Sequence, residues 1–431
     1  MKTLPRLLLA LFCSAAFVHA ADPLPRSWID PDTGHRIVQL STEPGSASLY
    51  FTQYAYTANG TKLLMTSRKG IDLVTISTGE IEHVMDGPTS RVLQTGHKTG
   101  AIFYTKDGYV CSLDPVTKVS KQLAKLPPGG SVVTVNSDET LAAGSITETE
   151  APAVGANRGG GRAGGRGGPA PAELKEGEVQ KGGDNYPDKH AMMDRRLAAR
   201  TPMTMFTVNL QTGEYKELLH TTDWINHFQF SPTDPLMLLY AHEGRQWKVD
   251  RVWLIKADGK SQPRLVHQRT MKMEIAVHEY WSSDGQWVYY DLQTPLSEDC
   301  WVGSYNVNTE ERVWYHVPPN HWSVHYNTSP DNKLISGDGS DPELHYAKAQ
   351  DAKWMFLFHP ELVPNEDGET ADQAHMIQAA KLVPERLVNL AKHDYSLEPN
   401  GNFSPDGKWL IFRSNMRGPI QVYAVEVAKA K

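Results

Sequence analysis

The stretch Phe403-Ser-Pro-Asp-Gly-Lys-Trp-Leu-Ile-Phe-Arg-Ser414 sets a turn, Ser404 to Gly407, directly ahead of an apolar, aromatic-rich run. Asp followed by Gly tolerates the tight reversal between antiparallel strands, so the stretch reads as a β-hairpin. Related turns recur at Thr57 to Gly60, Thr105 to Gly108, Asn136 to Glu139, Ser231 to Asp234, Ser282 to Gly285 and Ser329 to Asn332. Strand-like runs follow them, such as TKLLMTS from Thr61, LMLLYAH from Leu236 and QWVYYDL from Gln286. A second kind of turn comes later in several units, at Ser77 to Gly79, Gln211 to Gly213, Ala257 to Gly259 and Asn308 to Glu310. Two hairpins per unit make about four strands. Seven such units, at roughly 40–50 residues each, predict an all-β fold, a seven-bladed β-propeller.

The last unit, Gly401 to Val427, has only three clear strands, whereas the segment Ser27 to Leu40 has strand character and no nearby partner. The expectation is that this N-terminal strand completes the last blade and closes the ring, which leaves no free sheet edge. Two inserts interrupt the spacing. One, at about 151–190, is rich in Gly and Arg, cannot bury enough surface to order itself, and reads as a flexible loop. The other, at about 360–384, is expected to hold a short helix around Asp372 to Leu382.

Length alone, 431 residues, would suggest two or three domains; the repeat makes one. Residues 1–20 combine a basic start at Lys2 and Arg6, an apolar run from Leu7 to Phe17, and small residues Val18 and Ala20 flanking His19. That pattern reads as a secretory signal peptide, with residues 21–431 forming an exported propeller domain, periplasmic or secreted. No later run is long enough for membrane insertion. A net charge of −7 argues against nucleic acid as a partner, and the Gly/Arg tract does not change that. Of three cysteines, Cys13 falls in the leader, and the spacing leaves open whether Cys111 and Cys300 pair.

If the turns are equivalent, the position four residues before each is equivalent too. Those positions hold Gln53, Ala101, Val132, His227, His278, His325 and Asn400. Innermost strands of a propeller line its channel, so one arc of one layer would carry three imidazoles and two amides. Glu398 shares a strand face with Asn400, and His242-Glu243-Gly-Arg245, His393-Asp394 and Asp338-Gly-Ser-Asp341 supply further polar groups. A strand histidine is ordinarily hydrogen-bonded packing; three in phase point to a site. Imidazole with carboxylate and amide oxygen suits Mn²⁺ and, less well, Ca²⁺.

The stretches SLYFTQYAYTANGTKLLMTS, WINHFQFSPTDPLMLLYAHEG, AVHEYWSSDGQWVYYDLQ and NFSPDGKWLIFRSNMRGPIQVYAVEV resemble the oligogalacturonate lyases of polysaccharide lyase family 22, TolB-like seven-bladed propellers. The resemblance implies β-elimination of short uronic-acid oligosaccharides, an acidic oligosaccharide as partner, and a divalent ion, Mn²⁺ with Ca²⁺ as the alternative. The family's metal-binding His of its HE[FY]W motif falls on His278. The two histidines of its last-blade motif fall on Glu398 and Asn400, so this chain has replaced them, and a Gln ligand falls near Tyr395. The implied metal set is His278, Glu398 and Asn400, with His325 in the same layer. The resemblance places a family His on His227 and an upstream Arg on Arg200; His227 is the first choice of base, His242 the second, and Arg200 the charge neutraliser. Tyr280, Trp281 and Tyr395 are candidates for stacking on sugar rings. The rival expectation is a propeller that binds without catalysis, or an enzyme for a different glycan; no Gly-x-Ser-x-Gly elbow points to a peptidase.

Overall fold

The computed structural model describes residues 26–87, 91–148, 174–175, 177–184, 188–365, 368, 373 and 375–430. The expected signal peptide and the Gly/Arg tract lie outside these residues. Apart from one helix, Lys189–Ala199, and a short 3-10 turn, the regular structure of the described residues is β-sheet, nearly all antiparallel, built as four-stranded meanders that follow one another in chain order. The first four are separate sheets, spanning residues 47–86, 91–125, 130–221 and 224–265. The next two, 275–316 and 326–389, join into one eight-stranded sheet through a parallel pair, Arg312–His316 beside Gln378–Asn389. In the last sheet, His35–Gln39 pairs with Gln421–Lys429, and Ser27–Ile29 adds outside it.

Three of the turns that suggested the repeat share one set of hydrogen bonds. In Ser282 to Gly285 the serine hydroxyl donates to Asp284 (2.6 Å) and accepts from the Trp287 amide (3.0 Å). Ser329 with Asp331 and Ser404 with Asp406 repeat the arrangement. A short polar side chain thus satisfies the amides that the reversal leaves free.

Two expectations need correction. Thr105 to Gly108 joins the second and third strands of its meander, Ile102–Lys106 and Tyr109–Leu113, whereas the other six turns join the first and second. The matching turn runs from Gly96 to Gly100, so Val92, and not Ala101, is the residue in phase. An Asp-Gly turn fits any hairpin of a meander and does not say which. Nor is there a helix at Asp372 to Leu382 in the described residues: Gln378–Asn389 is a strand, and with Trp354–Leu362 it forms a long hairpin. Ala379 and Ala380 favour helix locally, but pairing on both sides overrides that preference.

Apolar clusters lie between neighbouring meanders. One gathers Val38, Leu63, Leu64, Val92, Ile102 and Ile411 from the last, first and second units. Tyr280, Tyr290, Tyr305, Tyr326 and Tyr423 are among the largest fully buried side chains, so much of the tyrosine content is packing. The innermost strands are also tied to one another by side-chain hydrogen bonds. Gln53 Nε2 donates to the Leu93 carbonyl, Gln94 Oε1 accepts from Thr134 and the Val135 amide, and Gln229 Nε2 donates to the Glu279 carbonyl. Asn327 accepts from the Phe403 amide, and the Tyr56 hydroxyl donates to Asn402.

Candidate functional site

Three of the in-phase residues have left-handed backbone: His227 (φ 51°), His278 (φ 55°) and Asn400 (φ 55°). Strand register slips between Asn226 and Gln229 and between Val277 and Tyr280, so each histidine sits in a β-bulge. A bulge adds an unpaired residue and re-aims its side chain, at a cost of about 1–2 kcal/mol for a left-handed non-glycine residue. His325 reaches the same layer from just before the strand Tyr326–Thr328, its amide held by Asp338 at 2.8 Å. The rings of His278 and His325 lie 4.8 Å apart, and Tyr50 packs against both His325 (5.6 Å) and His227 (6.0 Å). The sequence register therefore brings His227, His278 and His325 together.

Behind His227 lies a buried charge line. His227 Nε2 is 2.9 Å from Glu243 Oε1, and Arg251 Nη1 donates to the other Glu243 oxygen at 2.9 Å. Arg251 Nε donates to Glu279 Oε2 at 2.8 Å. Burial works against the charge on Glu243, but Arg251 and His227 outweigh it and hold the carboxyl well below its ordinary range. An ionised Glu243 only accepts, so His227 carries a proton on Nε2, and Nδ1 is the nitrogen that accepts in the neutral ring.

His325 Nδ1 lies 2.8 Å from Asp338 Oδ2, and its Nε2 is 3.3 Å from the Tyr50 hydroxyl and 3.8 Å from Glu398 Oε2. Burial would lower the His325 pKa; Asp338, with Glu398 behind it, raises it instead. Burial, reinforced by Glu398, raises the Tyr50 hydroxyl well above its ordinary value, so it is a donor at neutral pH. The Asn400 amide N–H donates to Asp338 as well, and its side-chain nitrogen donates to the Glu398 carbonyl. His278 Nδ1 faces Asp291 at 3.9 Å, and burial pushes the Asp291 carboxyl up to about 7.

The expected metal ligands, His278, His325, Glu398 and Asn400, occupy one region without converging on one point. His325 Nε2 and Glu398 Oε2 lie 3.8 Å apart, but Asn400 Oδ1 and His278 Nδ1 are buried without a hydrogen-bond partner, and the Lys189 ammonium sits 4.0 Å from Glu398 Oε1. Among the described residues no three His, Cys, Asp or Glu side chains group as a metal site. The donor types suit a divalent ion; their arrangement does not fit one.

The remaining candidates fall elsewhere. Arg200 and His242 share Asp223, at 2.6 and 3.5 Å, and more than half of the Arg200 side chain is exposed. Burial lowers the His242 pKa. His393 is packing: its nitrogens bond to Ser414 and to the Leu397 carbonyl. Tyr395 is buried, with its hydroxyl on the Asp338 carbonyl, and so offers no face to a sugar. Tyr280 and Trp281 line a larger cavity of about 280 Å³ with Gln94, Gln229, Asn327 and Asn402. That cavity lies two residues further along the innermost strands and contains no carboxylate and no Lys or Arg. Cys111 and Cys300 are both free.

Tyr50, Glu279 and Arg251 were not singled out in the sequence. Glu279 follows His278 directly, as Glu243 follows His242, and that repeated His-Glu pair was the available signal. Arg251 stands among surface-type charges and shows no such mark.

A family model described as oligogalacturonate lyase matches residues 193–431. The oligogalacturonide lyase of Pectobacterium atrosepticum is 25% identical over 235 residues, covering 52% of this chain and 55% of that protein. The oligogalacturonate lyase of Dickeya dadantii is 23% identical over the same shares. The chain thus aligns with about half the length of these curated relatives. An oligogalacturonate lyase solved in complex with manganese superposes with TM-score 0.69 at 22% identity, covering 94% of this chain and 96% of that one. A second, from Vibrio parahaemolyticus, gives TM-score 0.69 at 19% identity over the same shares.

Proposed function

Because the chain belongs to the oligogalacturonate lyase family, we propose that it cleaves short uronic-acid oligosaccharides by β-elimination within a seven-bladed ring closed by the N-terminal strand. We also propose that residues 1–20 direct export, to the periplasm or beyond. The single observation that carries the catalytic proposal is His227, fixed through Nε2 by Glu243 and Arg251 with Nδ1 left as an acceptor.

β-Elimination removes the proton on C5, next to the uronate carboxylate, and expels the oxygen on C4. His227 Nδ1 takes the C5 proton; the electron pair forms the C4–C5 double bond, and the C4–O bond breaks. Glu243 stabilises the imidazolium that results, since its charge is already maintained by Arg251. Tyr50, neutral through burial, gives its proton to the departing oxygen and recovers one from His325 Nε2. Asp338 supports that transfer by favouring protonated His325. The balance is one proton from carbon to His227 and one from the Tyr50–His325 pair to the leaving group.

The test is to incubate the protein with digalacturonate and other uronides and to follow the ultraviolet absorbance of the conjugated 4,5-unsaturated product. His227→Ala is expected to lose about 100- to 10,000-fold in kcat. Activity retained in that variant would remove His227 as base. No product and no binding with any uronide would overturn the lyase proposal and favour a platform without catalysis.

A further inference from the structure

The mechanism needs a cation for the substrate carboxylate, and most arginines around the site are already engaged. Arg251 is divided between Glu243 and Glu279, Arg413 is on Asp184, and Arg200 is on Asp223. Arg91 differs. It opens the innermost strand Arg91–Thr95 of the second meander and lines a small cleft of about 30 Å³ with Tyr50, Thr52, Gln53, Asn226 and His227. Among the described residues its guanidinium has neither a hydrogen bond nor an ion pair, and burial alone lowers its pKa to about 10. It therefore stays charged at neutral pH while lacking the carboxylate that a buried guanidinium ordinarily requires.

We propose that Arg91 binds the carboxylate of the acidic sugar in this cleft and is the residue that selects a uronate over a neutral or esterified sugar. The proposal rests on the lyase function above for its catalytic consequence, but the binding step stands without it. The planar fork of the guanidinium matches a carboxylate through two parallel N–H donors. With Arg91 and His227 on the same cleft, a sugar held by its carboxylate presents the neighbouring C5 proton toward His227. Pairing with Arg91 also disperses the negative charge that develops on the carboxylate as that proton leaves.

The experiment compares wild type, Arg91→Gln and Arg91→Lys in two assays. The first is kcat/KM on digalacturonate and on its methyl ester; the second is calorimetric binding of galacturonate, galactose and inorganic phosphate. Arg91→Gln is expected to lose on the order of 100-fold on the acid and little on the ester, so that the preference collapses. Arg91→Lys keeps the charge without the fork and is expected to raise KM while retaining kcat; it also serves if the Gln variant fails to fold. Galacturonate binding is expected in wild type and not in Arg91→Gln. An Arg91→Gln protein with wild-type kcat/KM on digalacturonate overturns the inference and leaves the lyase proposal intact. A wild type that binds galacturonate through Arg91 yet cleaves no uronide does the reverse. Arg91-dependent binding of phosphate as tight as that of galacturonate overturns the carboxylate assignment.

Discussion

At Arg251 one guanidinium pairs with two buried carboxylates, Glu243 and Glu279, and through Glu243 it fixes which nitrogen of His227 carries the proton. Removing it strands both acids. Arg251→Met is expected to lower stability by about 3–5 kcal/mol in urea denaturation, and adding Glu243→Gln with Glu279→Gln should recover most of that loss. Recovery of stability without recovery of activity would separate the fold from the chemistry. Asp291 makes a pH-dependent case. Its folded pKa of about 7 lies above the ordinary unfolded value of about 3.9, so its stabilising share is complete below the unfolded value and is lost as pH rises through about 7. Denaturation midpoints from pH 4 to 8 should fall less in Asp291→Asn, which cannot ionise, than in wild type. Equal slopes would mean that the carboxyl is not held neutral.

Among elements, the bulged innermost strand is the device that turns packing positions into site positions. At His278 the left-handed backbone disfavours every residue with a Cβ except in part Asn and Asp, and favours Gly. His278→Gly should therefore be about 1 kcal/mol more stable than His278→Ala by thermal denaturation, although both lack the imidazole. The hairpins made this strand legible in the sequence, because a serine or threonine turn with Asp and a following apolar run leaves little choice of structure. The three-histidine layer followed from counting back along it. The same count failed in the second unit, where Ala101 was taken for Val92, since an Asp-Gly reversal serves any pair of strands in a meander. Arg251 and Tyr50 were out of reach for a different reason. Arg251 arrives just before the third strand of its meander and Tyr50 from an irregular segment, so neither shares the offset that the turns define. The helix expected near Asp372 failed because local preference carries no information about two flanking strands.

For the molecule as a whole, apolar clusters bridge neighbouring meanders, and the pairing of His35–Gln39 with Gln421–Lys429 links the two ends of the described chain. Deleting residues 27–40 removes Ile37, Val38 and Leu40 from that contact and bares the edge of the strand Gln421–Lys429. The expected outcome is a protein that aggregates on size-exclusion chromatography and loses a single cooperative melt. A monodisperse truncated protein with an unchanged midpoint would show that the clusters alone hold the sheets together. The same pairing dictates an order of events at the ribosome. The segment that begins the fold has its partner at the far end of the chain, so at roughly 5–20 residues per second it waits on the order of 20–80 seconds before that partner has been made. Until then the edge of His35–Gln39 that receives Gln421–Lys429 stays unpaired. Within the last sheet the strand made first is thus the last to be fully paired, and helper proteins that shield unpaired strands have their longest task there.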